Sequence, residues 1–91
     1  MSDDVKLSVR QRRALYRAAH RGTKEMDWLL GRFADATVGA MGEHELAAFE
    51  QLLELPDKDV ERWILEAPEQ KPDGPVGEFV ARLRRFHGLD A

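Results

Sequence analysis

The chain has 91 residues, a formal net charge of −3, 34% charged and 43% hydrophobic residues, and no cysteine. A chain of this size folds as one small domain with little room for a deep substrate cavity beside its own core. The composition argues against disorder, the missing cysteines exclude disulfides, thiolate catalysis and Cys-based zinc sites, and the slight acidity disfavours a general nucleic-acid binder.

Residues 1–7 read as a loose leader. Met1-Ser2-Asp3-Asp4 is acidic with no apolar run after it, unlike a secretory signal or an Arg-rich transit peptide. No apolar run approaches the length of a membrane span, so the expected location is the cytoplasm. Ser8-Val9-Arg10-Gln11 fits a capping box and starts a helix that runs to about His20. Leu15 and Ala19 fall on one face, with Tyr16 at its edge. Arg10, Arg13, Arg17 and Arg21 line one stripe at helical spacing. Such a stripe suits an acidic partner or phosphates, or is a solvated face; its distal part reads as solvated, because the chain as a whole is not basic.

Gly22 is the only glycine in the first thirty residues and sits between two helical segments. It reads as a corner, where a residue without Cβ accepts the positive φ that ends one helix before another begins. Arg21 precedes it and Glu25 lies one turn beyond. A tight bend is expected to bring this cation and carboxylate together at the surface beside bare backbone. That arrangement either only turns the chain or serves recognition of another macromolecule.

The second helix is expected from near Thr23 to about Ala36, with Met26, Leu29, Leu30, Phe33 and Thr37 as its buried stripe. Trp28 lies off that stripe, with Glu25, Arg32 and Asp35. It is either an interface anchor or packed against another helix of the domain. Val38-Gly39-Ala40-Met41-Gly42 reads as a loop, with Gly42 capping a third helix whose first turn holds Glu43 and Glu45. Leu46, Phe49, Leu52 and Leu53 form its apolar face, and it ends near Leu55 because Pro56 disfavours helix in the residue before it. Asp57 is the expected N-cap of a short fourth helix, with Val60, Trp63 and Ile64 toward the core. Residues 67–75 read as an internal linker, extended through Gly74, with Pro75 suited to the first turn of a fifth helix. Val76, Phe79, Val80, Leu83 and Phe86 supply its stripe, Arg82, Arg84 and Arg85 gather near its C-terminal end, and Gly88 stops it. With no period-two alternation, hairpin turn or internal repeat, the expectation is all-α: a compact bundle of five short amphipathic helices forming one domain over 8–91.

A self-sufficient active site is absent from this pattern. Glu43-His44-Glu45-Leu46-Ala47-Ala48 fails the zinc-protease motif, because Ala48 stands where the second histidine must be. His20, His44 and His87 are far apart on different elements. The glycines form neither a dinucleotide fingerprint nor a P-loop, and the paired acids Asp57/Asp59 and Glu43/Glu45 lie where helix starts attract them anyway. No catalytic or metal-binding residues are assigned, and an interaction protein is the default.

At Arg21-Gly22-Thr23-Lys24-Glu25 the sequence resembles the R-G-x-x-E motif of the succinate dehydrogenase assembly factors, small flavinylation factors of bacteria with a mitochondrial counterpart. Met26-Asp27-Trp28-Leu29-Leu30-Gly31-Arg32-Phe33 continues the likeness. A second block, Glu45 to Glu54 followed by Leu55-Pro56-Asp57-Lys58-Asp59-Val60 and Trp63-Ile64, is also similar to the family. The resemblance covers nearly the whole chain. It implies a five-helix fold and a dedicated chaperone, not an enzyme. Such a chaperone binds the flavoprotein subunit of succinate dehydrogenase, and of fumarate reductase in some organisms, and promotes covalent attachment of FAD to a histidine of that subunit. It also implies a bacterial cytoplasmic protein that acts on FAD held by its client and binds none stably itself. The motif carries over to Arg21, Gly22 and Glu25; Trp28, bulkier than the aliphatic residue often found there, and Arg17 complete the expected partner-binding set. Arg21 is expected to pair with a client carboxylate and Glu25 to orient client groups. Monomeric behaviour is expected of the free protein. Two other readings stand beside this: a nucleic-acid-binding or regulatory module using the basic first helix, and a flavin-binding protein, which the lack of a phosphate-cradling loop disfavours.

Overall fold

Helix α1 (Val9–Ala19) begins at the capping box read from the sequence: the Gln11 N–H donates to the Ser8 hydroxyl at 3.0 Å, and the Ser8 N–H donates to the Gln11 side chain at 2.8 Å. The computed structural model describes residues 6–89. After α1 come α2 (Lys24–Thr37), a 3-10 turn (Val38–Ala40), α3 (Glu43–Leu53), α4 (Asp57–Glu66) and α5 (Gly74–Phe86). Local chemistry sets each boundary. Thr23 caps α2 by accepting from the Met26 N–H at 3.1 Å, the Gly42 N–H at the head of α3 donates to Glu45 at 3.3 Å, and Pro75 lies in the first turn of α5. The all-α, five-helix expectation holds among the described residues.

Phe33, Phe49 and Phe79 meet at the centre, with ring centroids 5.4–6.1 Å apart. Met26, Leu30, Leu52, Val60, Ile64 and Leu83 close around them, all fully buried. The expected stripes of α2 and α3 are therefore the observed ones, apart from the half-buried Thr37. Trp63 packs against the core half-buried.

Several expectations are corrected. Helix α1 buries Ala14 and Ala18 instead of Leu15 and Ala19. The cause is the close approach of α1 to α2: a Cβ on Gly31 would lie 3.1 Å from the Cα of Ala19, so only small side chains fit the seam and Leu15 is displaced to its edge. The segment after α2 is an ordered part of the core, with Val38 and Met41 buried and their carbonyls accepting from the Gln11 amide at 3.1 and 3.3 Å. Leu7, assigned to the leader by sequence, packs against the core; residues 1–5 lie outside the described residues. Asp57 is the first residue of α4 and not its N-cap, a place taken by Pro56. Phe86 is 43% exposed and meets Phe33 edge-on at 5.5 Å.

The arginine stripe of α1 is only partly a solvated face: Arg13 is exposed, while Arg10 and Arg17 are paired. Arg10 binds Glu43 at 2.8 Å and Glu50 at 2.6 Å, and Arg17 binds Glu54 at 2.7 Å. These pairs join α1 to α3 along one seam. The Arg10 guanidinium holds the Glu50 carboxyl below the usual range, and the same contact raises Arg10 above its ordinary value. At the other end of the bundle Arg84 donates to the carbonyl of Ile64, in the last turn of α4, and to that of Leu89 at 2.9 Å.

Candidate functional site at the α1–α2 corner

Between α1 and α2 the chain turns through His20, Arg21, Gly22 and Thr23, leaving backbone N–H groups that neither helix satisfies. Asp27, in the first turn of α2, supplies the acceptor. One of its carboxylate oxygens receives the N–H of Arg21 at 2.5 Å and that of Gly22 at 3.2 Å. Gly22 then takes φ +117°, a conformation L side chains rarely adopt. A Cβ built there meets nothing within 4 Å, so no neighbour in the fold demands glycine. The backbone conformation demands it, and the space above Gly22 is open.

Arg21 is not the surface cation expected beside Glu25. Its side chain is 9% exposed and points into the turn between α3 and α4. Nε donates to Asp57 at 2.8 Å, Nη1 to the carbonyl of Leu53 at 2.8 Å, and Nη2 to the carbonyl of Leu55 at 3.2 Å. The α3 dipole favours the cation at its C-terminal end, and the α4 dipole favours the acid at its N-terminal end. These bonds leave the guanidinium committed within the fold. Arg17 is likewise engaged, by Glu54. Of the arginines a basic nucleic-acid module would use, Arg10, Arg17 and Arg21 are held by acids of the fold, and Arg12 and Arg13 are left exposed.

Glu25 has a different neighbour from the one expected. It is exposed, and its carboxyl group neighbours that of Glu61 of α4. That contact, more than desolvation and the nearby charges of Glu25, Asp57 and Glu66, pushes the Glu61 carboxyl above its ordinary value. The corner therefore presents an open glycine beside a pair of neighbouring carboxyl groups, one of them, Glu61, pushed above its ordinary value. Sequence reasoning missed Glu61, Asp27 and Asp57. Asp27 was in view, two positions after the motif glutamate, and its place in the first helical turn was the available signal.

Trp28 packs against the end of α5 and stays half exposed. Its ring lies 4.8 Å from that of His87 at the end of α5, and the Arg32 guanidinium stands 5.7 Å over it, yet it remains 51% exposed. His87 is fixed from its other side by a 2.7 Å hydrogen bond to the carbonyl of Leu29. Beside Trp28 runs a groove of about 850 Å³ whose walls come from α1, α2 and Phe86. Tyr16, 64% exposed, stacks on His20 with centroids 4.0 Å apart, next to the Arg21–Asp57 pair. No group of histidine and acidic side chains able to hold a metal ion occurs among the described residues. The arrangement offers shape, charge and exposed aromatic surface, which are the means of binding another macromolecule.

A family model described as the flavinator of succinate dehydrogenase matches residues 12–87. Among curated proteins, the FAD assembly factor SdhE of Acetobacter pasteurianus is 39% identical over 84 residues, covering 87% of this chain and 77% of its own. The mitochondrial succinate dehydrogenase assembly factor 2 of Dictyostelium discoideum is 38% identical over 63 residues, 66% of this chain and 45% of that protein. The factor of the same name in Yarrowia lipolytica is 34% identical over 81 residues, 82% of this chain and 56% of its own. The chain thus spans about half the length of these two mitochondrial relatives. No solved structure matches. With the motif, the helical order and more than four-fifths of the sequence in register, this chain belongs to the family of succinate dehydrogenase flavinators.

Proposed function

We propose that this protein is an assembly chaperone that binds the flavoprotein subunit of succinate dehydrogenase and promotes covalent attachment of FAD to it. The observation that carries this reading is Gly22: as the glycine of the family's motif it holds φ +117° with open space above it, beside the exposed Glu25. A surface with bare backbone at its apex admits a close-fitting polypeptide, and any side chain there would act as a wedge.

The chemistry belongs to the client, which holds both the FAD and the histidine that receives it. The helper is not itself an enzyme and holds no FAD stably. It works by fixing the immature client with flavin and histidine in attack geometry; positioning of this kind lowers a barrier by up to about 7–11 kcal/mol in ideal cases. Gly22 and Glu25 touch the client, whereas Arg21 holds the corner in shape. The same surface serves the flavoprotein subunit of fumarate reductase where one is present. The free protein acts as a monomer in the bacterial cytoplasm.

The test is to delete the gene and follow covalent flavin fluorescence on the denatured flavoprotein subunit. Wild type restores the signal. Gly22→Arg and Glu25→Ala fail to restore it while their purified proteins keep the helical circular dichroism of wild type. Full flavinylation in the deletion strain overturns the reading.

A further inference from the structure

The groove beside Trp28 lies on the exposed side of α2, and the corner's bonding does not account for it. Lys24, Trp28 and Arg32 succeed one another at four-residue steps along α2, placing a cation on either side of one half-exposed indole. Leu15 and Ala19 of α1 and Phe86 at the end of α5 complete an apolar floor. The charges are not equivalent. The Asp27 carboxylate is occupied by the N–H groups of Arg21 and Gly22, Arg32 stands over the indole, and Asp35 lies beyond Arg32, away from the corner. Lys24, at the end nearest Gly22, makes no ion pair among the described residues.

Two features identify the occupant. One is continuity: Asp27 both lines the groove and holds the corner, so a chain gripping Gly22 reaches Trp28 without leaving the surface. The other is charge: the unpaired ammonium of Lys24 at the mouth calls for an anion, while the floor beyond it calls for apolar side chains. We propose that this groove is a second client-binding subsite, which takes an apolar segment of the flavoprotein subunit whose neighbouring carboxylate pairs with Lys24. The proposal rests on the chaperone reading above and extends its contact surface from the corner to the far face of α2. Trp28 is the anchor, since a large ring already held on one side loses little freedom when its exposed part is covered.

Binding of the purified, unflavinylated flavoprotein subunit by calorimetry tests this with four variants. Trp28→Ala and Lys24→Glu are each expected to weaken binding by about 10–100-fold, and Lys24→Arg to remain within about threefold of wild type. An acid at position 24 is favoured by the helix dipole, so Lys24→Glu keeps the fold, which circular dichroism verifies. Wild-type affinity in both Trp28→Ala and Lys24→Glu overturns the subsite. Loss in Trp28→Ala alone overturns the stated chemistry, since the occupant then brings no carboxylate. A dimer in sedimentation that Trp28→Ala dissolves, with client affinity unchanged, assigns the groove to a second copy and also overturns it. Gly22→Arg serves as the separate control: normal binding by that variant defeats the corner reading, while the groove stands or falls on its own two variants.

Discussion

Arg21 and Asp57 stand 36 positions apart in the chain, and the guanidinium Nη2 lies 2.7 Å from the Asp57 carboxylate in a pair whose arginine side is 9% exposed. The same guanidinium bonds the carbonyls of Leu53 and Leu55. One side chain thus ties the α1–α2 corner to the α3–α4 turn. That tie brings α4, and with it Glu61, beside Glu25. The first residue of the motif acts through the fold, and the glycine and glutamate that follow it are left at the surface.

Truncating this clamp strands a nearly buried carboxylate contact and two carbonyls at a helix end. Arg21→Ala is expected to lower unfolding free energy by about 3 kcal/mol, and Asp57→Ala, whose carboxylate is more exposed, by about 1–2 kcal/mol. Urea denaturation of both and of the double variant measures the coupling, expected at about 1 kcal/mol or more. Additive losses would show that the two residues do not act as a pair. Arg21→Lys should recover only part of the loss, because an ammonium cannot bond a carboxylate and two carbonyls in one plane.

Gly22 separates conformational strain from crowding. Nothing lies within 4 Å of its built Cβ, so any stability lost by Gly22→Ala comes from φ +117° alone. The expected loss is about 1–3 kcal/mol with no change in the packing of the core. A wild-type urea midpoint for Gly22→Ala would mean that the corner relaxes to a negative φ without cost.

Two helical glycines differ in what a methyl group would meet. On Gly77 it would lie 2.2 Å from the carbonyl oxygen of Pro72, a backbone atom of the linker that cannot rotate away. On Gly31 it would lie 3.1 Å from the Cα of Ala19, where a shift of a few tenths of an ångström between α1 and α2 relieves it. Alanine gains about 1 kcal/mol of helix propensity at either site. Overpacking against the linker costs about 1–3 kcal/mol. Gly77→Ala is therefore expected to unfold at lower urea than Gly31→Ala, and the reverse order would show that the linker yields freely.

Most of the fold was legible because caps and apolar spacing act locally. Ser8 with Gln11, Thr23, Gly42 and Pro75 mark helix starts by bonding or sterics within a few residues, and long apolar side chains left α2 and α3 no other face to bury. Helix α1 was misread by one position because its contact is made by small residues: Ala14 and Ala18 are buried through the close approach at Gly31, which apolar bulk does not signal. The ion pairs were half legible. Arg10 and Arg17 are seven apart, as are Glu43 and Glu50, with Glu54 one turn further, so two complementary stripes were present. Which helix would meet which is a tertiary fact. The corner glycine and Glu25 were found where the sequence put them, whereas Arg21 turned inward because its best partners, a helix C-terminus and an acid at a helix N-terminus, come from residues more than thirty positions away.

Two glutamates with opposite environments give opposite pH signatures. The hydrogen bond from Arg10 holds the Glu50 carboxyl below its ordinary value in the folded protein. Its stabilisation is therefore full above the unfolded-state value of about 4.3 and is lost as pH falls through the folded-state value. Glu50→Gln should lower the melting temperature at neutral pH and have a diminishing effect in acid. The contact with Glu25 raises Glu61, so its favourable contribution exists below the unfolded-state value and is lost as pH rises through the folded one. Above that range Glu61 is left at a net cost in the folded protein, and Glu61→Gln should raise the melting temperature at neutral pH, with the advantage disappearing on acidification. Thermal unfolding of wild type and both variants at about pH 7 and about pH 3.5 decides the matter. A melting temperature lowered by Glu61→Gln at neutral pH would mean that Glu61 makes a net favourable contact there, and the repulsion assigned to that side of the corner would go with it.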